Sequence, residues 1–385
     1  MDKRHIISLL TCFILVATAQ SAAAQNAETQ NAETQNAVDS VAVIDAKVEA
    51  LDTKVTTLQK IADKLPGISG FIQFLYTWEN TEPTTSQFRV RRARIILAGN
   101  IYKKYADYNL TVEFAGNVKP IDAYIRLTPW KEFNVQIGAF RPAFTLENMF
   151  YGATSMELIE YPQIVSRMTT IGDISGAGNG SAGRDLGIQA YGGFFNKRGF
   201  STLQYYVGVV NGNGLEFSGI NSHKDIAAML RVNPVEHLAV IGSLYCGKWA
   251  PDGAGSYADR NRWSGGFIYD DRKWFARGEY IGGVTGGMES KNLLVKPENG
   301  RLTSDGAYLM GGVWFCNHRI APIARAEYYS QNTQFRKETT DIFYTAGLLY
   351  TPWKYLRLQM NYTAKTYTYN DNIGHQVSVM LTGMF

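Results

Sequence analysis

Arginine is the residue type whose spacing in this chain points most directly to chemistry. Arg94, Arg126, Arg231, Arg277, Arg325 and Arg357 each stand between apolar neighbours, and Arg92 shares the phase of Arg94 across Ala93, so in an extended backbone they lie on the face opposite those neighbours. If the apolar partners face lipid, the arginines face an interior, because a charge on a lipid-facing wall costs about 2–4 kcal/mol near the bilayer midplane. Forked, permanently charged donors lining a wet passage favour anions. Glu113, Asp122, Glu279 and Glu327 fall on the same face. A pair such as Arg277 with Glu279 can neutralise itself across strands, so alternation alone leaves the net sign open.

Other reactive residues carry no comparable pattern. His223, His237, His318 and His375 sit in no metal or hydrolase motif. Cys246 and Cys316 lack paired ligand spacing and are expected to be unpaired. Residues Gly178, Gly180 and Gly183 reproduce the spacing GxGxxG. They follow a loop and enter a strand at Asp185, whereas a dinucleotide site requires the turn between a strand and a helix. No catalytic set, cofactor or metal is expected, and no serine and histidine mark a lipase site on the lipid face.

These arginines need strands to position them. After Gly67 the hydrophobic period becomes two and stays so to the end, as in Tyr108, Leu110, Val112 and Phe114 alternating with Asn109, Thr111 and Glu113, or Leu356, Leu358, Met360 and Tyr362 alternating with Arg357, Gln359 and Asn361. About sixteen such segments are expected, each roughly the 9–11 residues that cross a bilayer when tilted. A soluble sheet with one wet face would alternate similarly. Short connections such as Lys103-Lys104 and Lys131-Glu132 alternating with long ones, together with the terminal aromatic Phe385, favour an all-β transmembrane antiparallel β-barrel over residues 67–385. The 37 glycines and 23 tyrosines suit such strands better than a soluble enzyme.

The segment before the barrel reads in three parts. Residues 1–24, with Lys3 and Arg4 ahead of an apolar run and Ala22 and Ala24 at its end, form a secretory signal peptide. Residues 25–37 contain the repeat NAETQ NAETQ and cannot bury a core. Residues 38–66 place Val41, Ile44, Val48, Leu51, Val55, Leu58, Ala62 and Leu65 at alternating spacings of three and four, the seam of a coiled coil that Pro66 and Gly67 end. Valine at the a positions favours two strands; a helix folded onto its own domain is the alternative. A formal charge of +4 on the whole chain argues against a nucleic-acid partner.

Four blocks, Phe88-Arg89-Val90-Arg91-Arg92-Ala93-Arg94, Asp122-Ala123-Tyr124-Ile125, Ile137 to Glu147 and Gly183-Arg184-Asp185-Leu186-Gly187, resemble the phosphate-selective porin O and P family. The likeness is strongest over residues 68–195. It implies a sixteen-stranded trimeric barrel whose anion preference comes from lumen arginines and a few central lysines. Carried over by position, Arg92 and Arg94 are ladder residues, with Arg141 at the entrance and Arg184 at the exit of a loop over about 142–183 that would narrow the pore. That loop also holds Glu147, Tyr151, Glu157, Glu160, Tyr161 and Arg167. The central lysines have no counterpart here. The expectation is a homotrimeric diffusion channel in outer-membrane lipid, passing small anionic or polar solutes, with its coiled coil in the periplasm. A non-selective pore and a barrel that tethers the membrane through its coiled coil are the alternatives.

Overall fold

The computed structural model describes residues 45–57, 66–80, 83–197, 200–215, 222–251, 256–289 and 291–385. The signal segment, the polar repeat and the seam positions Val41, Ile44, Leu58, Ala62 and Leu65 lie outside them. Residues 45–57 form a helix, α1, whose apolar Val48 and Leu51 are 52% and 58% exposed. It belongs to the first of two units, Met1–Leu65, the second being Pro66–Phe385.

The second unit is a closed antiparallel barrel of sixteen strands, each hydrogen-bonded to its neighbours in sequence. The first six are β1 (Gly67–Glu79), β2 (Thr85–Tyr102), β3 (Ala106–Glu113), β4 (Lys119–Leu127), β5 (Asn134–Phe140) and β6 (Asp185–Lys197). Then come β7 (Phe200–Val210), β8 (Asp225–Val235), β9 (Leu238–Trp249), β10 (Ala258–Asp270) and β11 (Trp274–Thr285). The last five are β12 (Leu302–Val313), β13 (Ile320–Ser330), β14 (Thr340–Trp353), β15 (Leu356–Tyr367) and β16 (Asn370–Met384). Closure pairs β1 with β16 from Phe71 opposite Met384 to Glu79 opposite Gln376. The terminal Phe385 completes the seam, exchanging backbone hydrogen bonds with Gly70 at 3.0 and 3.1 Å. Closure leaves no edge strand with unpaired amides, which lipid could not satisfy.

The two faces differ as the alternation requires. Ile125, Ile137, Ile188, Val240, Leu244, Leu309 and Leu381 stand exposed outside, while Gln73, Thr111, Ser243, Ser264, Thr345, Gln359 and Thr382 are buried inside. The seven arginines, carried on six strands, point inward with the second set. Short turns at 103–105, 236–237, 271–273 and 354–355 mark one end of the barrel, and the longest connections, 141–184, 211–224 and 286–301, lie at the other. Exposed Tyr102, Trp130, Trp274, Trp353 and Tyr355 cluster by the short turns, as aromatic girdles do at a membrane interface.

Candidate functional site

The connection between β5 and β6, residues 141–184, lies against the inner wall. Two short helices stiffen it, α2 (Leu146–Phe150) and α3 (Gln163–Arg167). Thr145 caps α2, its hydroxyl accepting from the Asn148 amide at 3.2 Å. Gly183 closes the segment at φ +80°, where a Cβ would lie 2.0 Å from Asn148 Oδ1, so no other residue fits without displacing that contact.

Apolar packing and arginines hold the segment to β8–β15. Phe144, Leu146, Leu158, Ile164, Val165 and Met168 form one core with wall residues that include Met229, Ile241, Ile281, Tyr308 and Met310. Arg277 binds Glu147 at 2.7 Å and Glu157 at 2.6 Å, with the Tyr151 ring 3.7 Å from its guanidinium carbon. Arg325 donates to the Glu160 carbonyl at 2.8 Å and pairs with Glu327 at 3.0 Å. Arg357 donates to the carbonyls of Thr154 and Met156. These three arginines therefore face inward as the alternation predicts, but they lie beneath the segment, not on the open lumen. Arg277 takes its carboxylates from the loop, and Glu279 instead accepts from the Leu146 amide at 2.9 Å.

Arg260 and Arg262 on β10 were not among the expected site residues: the polar Asp259 and Asn261 flank Arg260, and Asn261 precedes Arg262, so no apolar alternation marked their face. Arg262 binds Asp173 at 2.7 Å and the Met168 carbonyl at 2.6 Å. Arg260, fully buried, reaches Asp225 at 2.7 Å and Asp173 at 3.5 Å. Burial alone would raise the Asp173 carboxyl, but the two guanidiniums outweigh it and hold Asp173 below the usual carboxylate range.

The wall from β2 to β6 is left open. There a cavity of about 340 Å3 is lined by Asn109, Thr111, Asp122, Tyr124, Arg141, Arg184 and Gln189, among others. Arg94 pairs with Glu113 at 2.7 Å, Arg126 with Asp107 at 2.8 Å, and Arg184 with Asp122 through two bonds of 3.0 and 3.1 Å. Two others have only neutral partners among the described residues. Arg92 donates to Gln73 Oε1 at 2.8 Å, and Arg141 to the carbonyls of Asn148 at 3.0 Å and Tyr151 at 2.9 Å. Burial, then the neighbouring Arg184, lowers the Arg141 pKa to about 10, which leaves it charged at neutral pH. Arg167, at the end of α3, is exposed and makes no ion pair among the described residues.

Strand β2 adds two inward cations. Arg89 and Arg91 have the opposite parity to Arg92 and Arg94, so an unbroken strand would send one pair into lipid. The register shifts here: Gln73 pairs with Arg92, yet Phe74 pairs with Val90. The extra residue is a β-bulge, which brings both pairs to one face. Arg89 stands opposite the inward Leu75, and Arg91 forks onto Glu160 of the loop. The phase break between Arg91 and Arg92 was visible in the sequence and is the signal that would have found them.

Residues 67–233 match the model of the phosphate-selective porin O and P family, so the likeness carried by the β2, β4, β5 and β6 blocks is borne out. Among solved structures, the chain is similar to an anion-selective porin from Comamonas acidovorans, with TM-score 0.63, 12% identity, and 83% of this chain and 99% of that one covered. It is also similar to Salmonella typhi OmpF in complex with daunomycin (TM-score 0.60, 13% identity, 84% and 99% covered). A third is the trimer form of OmpT, an outer membrane protein of Vibrio cholerae (TM-score 0.56, 12% identity, 83% and 99% covered). At these identities the likeness speaks for the fold. No curated protein matches the sequence.

Proposed function

We propose that this barrel, whose residues 67–233 carry the phosphate-selective porin O and P match, is a passive outer-membrane diffusion channel that prefers small anions and does no catalysis. The observation that carries the preference is the pair Arg92 and Arg141, two guanidiniums on the open wall without a carboxylate partner among the described residues. Their neighbours Arg94, Arg126 and Arg184 are each matched by an acid. Arg92 and Arg141 therefore leave surplus positive charge beside these pairs. Forked donors suit the oxygens of phosphate or a carboxylate, and the wet lumen keeps each contact weak enough for release. In this reading the inward segment 141–184 sets the width of the passage.

The paired arginines favour a second reading, a general pore of little selectivity. The homotrimer is proposed from the likeness to a barrel described in a trimer form. The coiled coil is proposed from the exposed Val48 and Leu51 of α1, and the periplasm from the signal segment and from the start of the chain's barrel beside the short turns.

Reconstitution in planar bilayers under a salt gradient tests the channel and its sign together. An anion-selective reversal potential, with chloride current reduced by added phosphate, is expected. Current without selectivity would support the general pore, and a cation-selective or silent barrel would overturn the proposal.

A further inference from the structure

Three tyrosines on the inner wall make no hydrogen bond to the loop or to the arginine pairs among the described residues. Tyr124 on β4, Tyr191 on β6 and Tyr206 on β7 face inward and are half-buried. Tyr191 and Tyr206 are direct cross-strand partners with ring centroids 5.9 Å apart and planes within 10° of parallel. Phe150 of the loop meets Tyr206 edge-on at 6.1 Å. Among the described residues no hydrogen-bond partner is seen for the three hydroxyls. The row thus presents ring faces and phenol groups toward the passage.

Cations stand at both ends of it. The Arg126 guanidinium lies 5.5 Å from the Tyr124 ring centroid, and that of Arg231 lies 5.1 Å from the Phe150 centroid. Arg231 donates to Asn233 at 3.1 Å and has no carboxylate partner among the described residues. A further group points the same way. Gln189, 2% exposed and lining the cavity with Tyr124, keeps its side-chain oxygen without a partner.

We propose that this tyrosine wall is a binding site for aromatic carboxylates on their way through the pore. The solute ring packs on the nearly parallel faces of Tyr191 and Tyr206. Its carboxylate meets Arg231, and a ring hydroxyl or amide would satisfy Gln189. Aromatic pairing of this kind is directional and exceeds plain apolar burial, while the cation supplies the charge match. An inorganic anion uses only the arginine, so the wall discriminates by solute body and not by charge. The proposal rests on the channel reading for its biological sense, but binding does not require conduction.

The test uses the intact protein and three probes of equal charge: benzoate, cyclohexanecarboxylate and acetate. Calorimetric titration of the detergent-solubilised protein and block of single-channel current are read in parallel. Benzoate is expected to bind about threefold to tenfold more tightly than cyclohexanecarboxylate, with acetate weaker still. Tyr206→Ala removes that margin, whereas Tyr206→Phe keeps it and guards against misfolding as the cause. Equal affinities for benzoate and cyclohexanecarboxylate in the wild type would overturn the proposal, as would an unchanged margin in Tyr206→Ala. An anion-selective current with no benzoate margin removes the tyrosine site and leaves the channel. A silent barrel that holds benzoate with the margin does the reverse.

Discussion

Two halves of one inner wall use the same residue type for opposite ends. On β8–β15, Arg260, Arg262, Arg277, Arg325 and Arg357 are almost wholly buried, and each reaches carboxylates or carbonyls, most of them supplied by segment 141–184. On β2–β6, Arg92, Arg141 and Arg126 remain partly open to the lumen, and two of these three have no acid partner among the described residues. What separates them is cover. Where the loop packs over it, an arginine becomes a fastener held by carboxylates or carbonyls; where the lumen still reaches it, as at Arg92 and Arg141, an arginine keeps its field in the water.

The largest expected effect comes from breaking a fastener. Arg277→Leu leaves Glu147 and Glu157 with no counter-charge in a buried site, and removing one partner of such a pair costs about 3–5 kcal/mol. Denaturant unfolding in detergent should show that loss, and single-channel traces should become noisy as the loop loosens. The same substitution at Arg126, whose side chain is 40% exposed, should cost under about 1 kcal/mol.

Acid should act on the covered half next. Asp173 is held below the ordinary carboxylate range by Arg262 and Arg260. Its contribution is therefore fully present above the unfolded value of about 3.9 and is lost as the pH falls through the lower folded value. The stability difference between the wild type and Asp173→Asn, read from unfolding midpoints, should stay level through mildly acidic pH and shrink below about pH 4. At neutral pH Asp173→Asn should be the less stable of the two.

Effects on the open half are smaller in energy and appear in selectivity. A unit charge about 4–8 Å from a passing ion in water is worth roughly 0.5–1 kcal/mol. Arg92→Gln or Arg141→Gln should each lower the anion-to-cation permeability ratio about twofold to fivefold, with unfolding nearly unchanged for Arg92→Gln. The smallest effect is expected from deleting Arg91. That deletion removes the bulge, yet puts Arg89, Arg92 and Arg94 in one phase, so the barrel should fold with a loss of about 1 kcal/mol from the Arg91–Glu160 pair, whose carboxylate is 46% exposed. Failure to assemble would contradict the reading of the bulge.

The period of two made the strands and the inward face of the arginines legible, because lipid outside and water inside impose that alternation on every strand. It could not show which arginines the loop would cover. Arg357 meets Thr154 and Arg277 meets Glu157 across 203 and 120 residues of chain, and no local pattern records such contacts. Arg260 and Arg262 were less legible than Arg277, because the polar Asp259 and Asn261 beside them break the apolar alternation that marks an inward face. The tyrosine pair was less so, since cross-strand register, not composition, brings Tyr191 opposite Tyr206.

The reversal potential of the double variant Arg92→Gln/Arg141→Gln, measured beside the wild type in one salt gradient, tests the central claim most directly. An anion-selective wild type that the double variant carries most of the way to zero, at similar conductance, is the predicted result. Undiminished anion selectivity in the double variant would contradict it, since the selectivity would then come from other cations, such as Arg89, Arg167 or Arg231.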